Sequence, residues 1–110
     1  MKSIRITARC PIRTTLELVG GKWKLLIIFQ LVEKPLRLSE LKKGIPDISE
    51  KMLIQELKTL VESGLAVRRN FGEVPPRVEY SLTEMGRAAL PLIEKMREFA
   101  GLYEENLLNQ

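Results

Sequence analysis

Lys51 and Gln55 stand four residues apart in a stretch, Glu50 to Ser63, whose apolar residues Leu53, Leu57, Leu60 and Val61 recur at i, i+4, i+7 and i+8. That spacing predicts a helix with one buried stripe. Lys51 and Gln55 then lie one turn apart on the other side, beside Glu50, Ile54, Lys58 and Glu62. On an open helix face a lysine suits guanine or a phosphate, and a glutamine suits adenine. Ile54 can touch a thymine methyl or pack locally. Ser49 is placed to cap the helix, and the first-turn N–H groups behind it favour a phosphate. The same residue types also make ordinary solvated helix faces, so this stretch by itself leaves both readings open.

A second group of interest is Arg77, which follows Pro75 and Pro76 in the run Glu73–Thr83. A proline cannot donate to a β-ladder, so the two prolines mark a turn. After them Val78, Tyr80 and Leu82 alternate with Glu79 and Ser81, the period of a half-buried strand. A third is Cys10, with Arg9 and Arg13 close by. Neighbouring cations favour a thiolate, whereas a lone cysteine in a core is simply a small hydrophobe.

The composition removes several chemistries. There is no histidine and one cysteine, so a histidine-based triad, an intrachain disulfide and a multi-cysteine metal site are not expected. No acid–base pair or phosphate loop stands out either. The expectation is a protein that is not an enzyme and needs no cofactor. No apolar run approaches a membrane span, and residues 1–9 lack the apolar centre of a signal peptide. A cytoplasmic protein without membrane contact is therefore expected.

At 110 residues, with 45% apolar and 29% charged residues, the chain fits one ordered domain with a small core that gains from dimerisation. The net charge of +4 is uneven: residues 1–33 hold six Lys/Arg against two Asp/Glu, and residues 78–110 hold three against six. A basic front and an acidic back suit a polyanion on one side.

Residues 1–9 read as a flexible basic arm. Pro11 opens the ordered region, and Thr14 or Thr15 can cap a short helix that Gly20-Gly21 breaks. Lys22 to Val32 reads as a buried helix with Trp23, Leu26, Ile27 and Leu31 inward. "PLRL" is a short extended piece, and Ser39 caps a short helix through Lys43 that Gly44 and Pro46 end. The Ser49-capped helix follows. Strands are expected over 66–71 and 77–82, and Thr83 caps a final helix that Pro91 should kink or break. Along that helix Met85, Ala89, Leu92, Ile93, Met96, Ala100, Tyr103 and Leu107 form an apolar stripe, widened by Phe99 and Leu102. This is more apolar surface than one small domain needs.

A short helix, a turn, a longer capped helix and a β-hairpin give a mainly α fold with a small hairpin, the winged helix-turn-helix. In that arrangement the second helix enters the major groove while the first crosses the backbone. Ser39, Lys42 and Lys22 could then touch phosphates. Pro75 and Pro76 would stiffen the wing, and Arg77 would meet a narrow minor groove. Of Arg68 and Arg69, neighbours on a strand, at most one can face the duplex.

The chain resembles the HxlR-type family of winged-helix regulators. The matching runs are "CPI" at residues 10–12, "GGKWKLLII" at 20–28, "RLSELKKGIPDISEKMLIQELKTLVESGL" at 37–65 and "EVPPRVEYSLTEMGR" at 73–87. The resemblance implies a homodimeric, sequence-specific regulator of transcription on a pseudo-palindromic double-stranded DNA operator, without telling of any small-molecule effector. It implies DNA contacts from Lys22, Ser39, Ser49, Lys51, Ile54, Gln55, Lys58, Pro76 and Arg77. Members often carry threonine at the position of Ile54. It also implies a dimer interface built by the N-terminal segment and the C-terminal helix (residues 83–110), through Ile12, Leu16, Leu92, Ile93, Met96, Phe99, Ala100 and Tyr103. Several relatives sense electrophiles or oxidants through a cysteine at the position of Cys10. The competing function is a winged-helix module that binds an acidic protein.

Overall fold

Three leucines set the position of the central helix. In the computed structural model, which describes residues 3–109, Leu53, Leu57 and Leu60 are fully buried on one side of helix α4, Glu50–Glu62. Each buried leucine contributes about 1.5–3 kcal/mol relative to an exposed one. They pack with Ile27, Ile28 and Leu31 of the α2 region (α2 is Lys24–Gln30) and with Leu41 of α3, Leu38–Gly44. Helix α1, Pro11–Val19, precedes these and gives Val19 to the same core.

The hairpin pairs β1, Ala66–Asn70, antiparallel to β2, Val78–Leu82, with Arg68 opposite Tyr80. The extended "PLRL" piece is present as a bridge: Leu36 N–H donates to Tyr80 O at 2.9 Å and Tyr80 N–H donates to Leu36 O at 2.8 Å. β2 is therefore flanked on both edges and β1 on one. That explains why the expected in-and-out alternation is blurred: Val78 to Ser81 are all half-buried, while β1 beyond Ala66 is exposed. The strands are shorter than expected by a residue each, although Phe71 N–H still donates to Arg77 O at 3.0 Å.

Glu84–Arg87 forms a short helix α5, and α6 runs from Leu90 to Leu108. Thr83 caps α5 as expected: its hydroxyl oxygen accepts from Gly86 N–H at 3.0 Å and its O–H donates to Gly64 O at 2.7 Å. The break expected at Pro91 falls just before it, which leaves the proline in the first turn of α6, where its missing N–H costs nothing. Gly64 turns the chain out of α4 at φ +78°, a backbone conformation that suits glycine. Gly86 has another reason: a Cβ there would strike the Leu65 carbonyl, so α5 can approach the hairpin only with glycine.

Several local expectations are corrected. Cys10, not Thr14 or Thr15, is the N-cap residue of α1, with Pro11 in the first turn. Thr15 instead donates to Pro11 O at 2.7 Å inside the helix. Helix α2 runs only from Lys24 to Gln30, so Lys22 lies just before it. Arg37 holds the N-cap position of α3, and Glu40 accepts from Arg37 N–H at 2.9 Å, so Ser39 is inside the first turn and caps nothing. Leu26 is exposed rather than in the core, because adjacent Ile27 and Ile28 take the buried side. Ile93 is buried among the protomer's own core residues, unlike the rest of the α6 stripe. Of the expected basic arm, Met1 and Lys2 lie outside the described residues; Ser3 to Arg9 form no helix or strand and are exposed. No helix among the described residues is long and apolar enough to cross a membrane.

Candidate nucleic-acid interface

The α3–α4 pair presents the open surface expected of it. Ser49 Oγ accepts from Met52 N–H at 3.0 Å, which fixes the start of α4. Glu50, Lys51, Ile54, Gln55 and Lys58 are all exposed on the side opposite the leucines. The turn into α4 is tied down by Lys42, whose ammonium donates to Pro46 O at 2.8 Å. Lys42 is thus engaged in closing the turn. Lys22 reaches the same turn from the other direction: its ammonium is 3.8 Å from Asp47 and 4.6 Å from the centre of the Trp23 ring. Lys22 and Ser49 are brought to one turn, and Ser39 is exposed on α3.

The inner side of α4 carries a feature that sequence reasoning missed. Lys24 Nζ lies 2.7 Å from Glu56 Oε2, and both side chains are largely screened from water. The pair fastens α2 to the helix that presents Lys51 and Gln55. The only sequence hint was a glutamate on the flank of the apolar stripe.

The hairpin has two distinct faces. On the face turned to α4, Arg68 and Tyr80 line a groove together with Ile54, Lys58, Val61 and Glu62. On the opposite face the Arg77 guanidinium lies 3.8 Å from the centre of the Phe71 ring, and that of Arg69 lies 4.6 Å from it. A ring face attracts cations through its quadrupole. Arg77 also pairs with Glu73 at 3.2 Å, while its Nε is buried without an acceptor. Arg77 is therefore stacked and paired at the base of the wing rather than free at its tip. Beyond it, Pro75 and Pro76 are exposed and Val74 is 98% exposed.

Cys10 is buried, at 3% exposure, and its N–H donates to Thr7 O. Ile12 and Leu16 on α1 are open to solvent. So are Met96, Phe99, Ala100 and Tyr103 on α6, together with Leu92. Past Ile93, α6 carries no buried residue. The outward Leu26 and Phe29 of α2 join Ile93 and Met96 in an apolar groove, so the open apolar surface is continuous from α2 to α6.

The sequence matches the family model of the HxlR-like helix-turn-helix over residues 18–107. Among curated proteins it is 46% identical to the uncharacterized HTH-type transcriptional regulator YkvN of Bacillus subtilis, over 87% of this chain and 81% of that one. Among solved structures it is similar to a MarR-family transcriptional regulator from Porphyromonas gingivalis W83: 49% identity, TM-score 0.83, covering 87% of this chain and 94% of the other. It is also similar to the redox regulator HypR in its reduced form, at 34% identity and TM-score 0.82 over 91% of this chain and 99% of that one.

Proposed function

The chain belongs to the HxlR-like helix-turn-helix family, and from that premise we propose that it regulates transcription by binding double-stranded DNA as a homodimer. Helix α4 enters the major groove, with Lys51 and Gln55 at base edges and Ile54 beside them. Ser49, Ser39, Lys22 and Lys58 meet phosphates, and Pro76 and Arg77 bring the wing to the neighbouring minor groove. The observation that carries this reading is the exposed face of α4 lying beside the hairpin in one surface.

The homodimer rests on the open apolar surfaces of α1 and α6. Phe99, Leu102 and Tyr103 are each more than half exposed, and a second copy would cover them without disturbing the core. Two α4 helices related by a two-fold axis fit major grooves about 34 Å apart, or a multiple of that, which suits a pseudo-palindromic operator.

The test is a fluorescence-anisotropy titration with a duplex selected from a random pool. Binding should fall steeply as salt rises, because cations on the protein release counterions from the DNA. Lys51→Ala should weaken it. Binding that ignores salt, or a preference for an acidic protein over every duplex tried, would reject the reading.

A redox response through Cys10 is a second element, favoured by the likeness to HypR, a redox regulator by its name. The thiol is buried, so an oxidant reaches it only when the chain around it opens. Diamide should weaken binding by the natural protein and leave Cys10→Ser bound; equal sensitivity of the two would remove the idea.

A further inference from the structure

A duplex that takes a helix in its major groove and a hairpin in the adjoining minor groove has one sugar–phosphate strand between the two. The surface joining α4 to the hairpin must face that strand. In this chain that surface is the groove with Ile54 and Lys58 on one wall and Arg68 and Tyr80 on the other.

We propose that Arg68 and Lys58 together grip this intervening strand, and that Arg68 is a DNA-contact residue in its own right. The inference rests on the DNA-binding reading above. Both cations are exposed, and neither forms an ion pair among the described residues. Three other cations near the interface are engaged, Lys22 with Asp47, Lys42 with Pro46 O and Arg77 with Glu73, and Lys51, which is free like these two, does not line this groove. A phosphate is the acceptor that would complete the Arg68–Lys58 pair, and a guanidinium fork can bind it with two parallel N–H groups. Glu62, at the C-terminal end of α4, lines the same groove and would hold the polyanion toward the Ile54 end.

Strand parity separates Arg68 from Arg69. Arg68 shares a face with buried Ala66, the face that meets α4, whereas Arg69 points the other way and lies over Phe71. The two neighbours carry the same charge and are both exposed, so net charge alone would make their removal equivalent. The proposed grip makes it unequal.

The experiment measures affinity against salt for the full-length protein on a duplex recovered from a random-sequence pool. Arg68→Gln is expected to weaken binding roughly tenfold at low salt and to lower the slope of log affinity against log salt by about 1 per half-site. Arg68→Lys should keep most of the slope, since the charge remains. Arg69→Gln should keep both slope and affinity near those of the natural protein. The inference is overturned if Arg68→Gln keeps the natural slope, or if Arg69→Gln loses as much as Arg68→Gln. If the unaltered protein itself binds no duplex in a salt-dependent way, the DNA-binding reading falls and takes this inference with it.

Discussion

Glu56 on the inner flank of α4 holds the Lys24 ammonium of α2 at 2.7 Å, in a setting largely closed to water. The contacted oxygen is buried and accepts no well-directed hydrogen bond among the described residues, so the nearby ammonium charge is its one compensation. Removing one partner would leave the other desolvated and unpaired. Glu56→Ala is expected to cost about 1–3 kcal/mol, read as a lower urea midpoint with an unchanged m-value. Lys24→Met combined with Glu56→Leu should recover most of that loss, because two apolar groups leave no buried charge. A Glu56→Ala midpoint equal to that of the natural protein would show that the pair adds nothing.

The wing leads to a different expectation. The Arg77 guanidinium is held over Phe71 and against Glu73, so its direction depends on the ring. Arg77→Ala should weaken DNA binding across many sequences alike, since the minor groove presents a degenerate pattern with little base preference. Phe71→Leu, which keeps the bulk and loses the quadrupole, should cause part of the same loss, while Phe71→Tyr should not. A gel-shift series over operator variants in which Phe71→Leu binds like the natural protein would leave the stack without a part in recognition.

The proposed dimer is best probed on the outer half of α6. Stopping the chain after Arg87 should give monomers, but it also removes Ile93 from the protomer core and so mixes two effects. Phe99→Glu with Tyr103→Glu avoids this, because both side chains are more than half exposed. The double variant is expected to be folded by circular dichroism and monomeric by light scattering. A dimer of unchanged stability would place the interface elsewhere.

Much of the fold was legible in the sequence because its signals are local. The i, i+4, i+7 leucines of α4, the Ser49 and Thr83 caps and the proline-marked turn each depend on a few adjacent residues. The misplaced details depend on distant partners. Leu26 looks like its neighbours within an apolar run, and only the packing of Ile27 and Ile28 against α4 shows which residue is left outside. Ser39 has the better capping side chain, yet Glu40 closes on Arg37 N–H and starts the helix earlier. The exposed face of α4 was readable from periodicity. The engagement of Arg77 by Phe71 and Glu73 was not, because it follows from how the turn folds back on the strands.

The central claim is that the open face of α4 reads base edges. Its most direct test is selection of duplexes from a random pool by the natural protein and by Gln55→Ala, followed by sequencing. The account predicts that the natural protein enriches an inverted repeat with half-sites about one helical turn apart or a multiple of it, and that Gln55→Ala relaxes one base pair in each half-site while keeping the rest. Enrichment of no sequence, or an identical motif from both proteins with every base pair as strict, would contradict it.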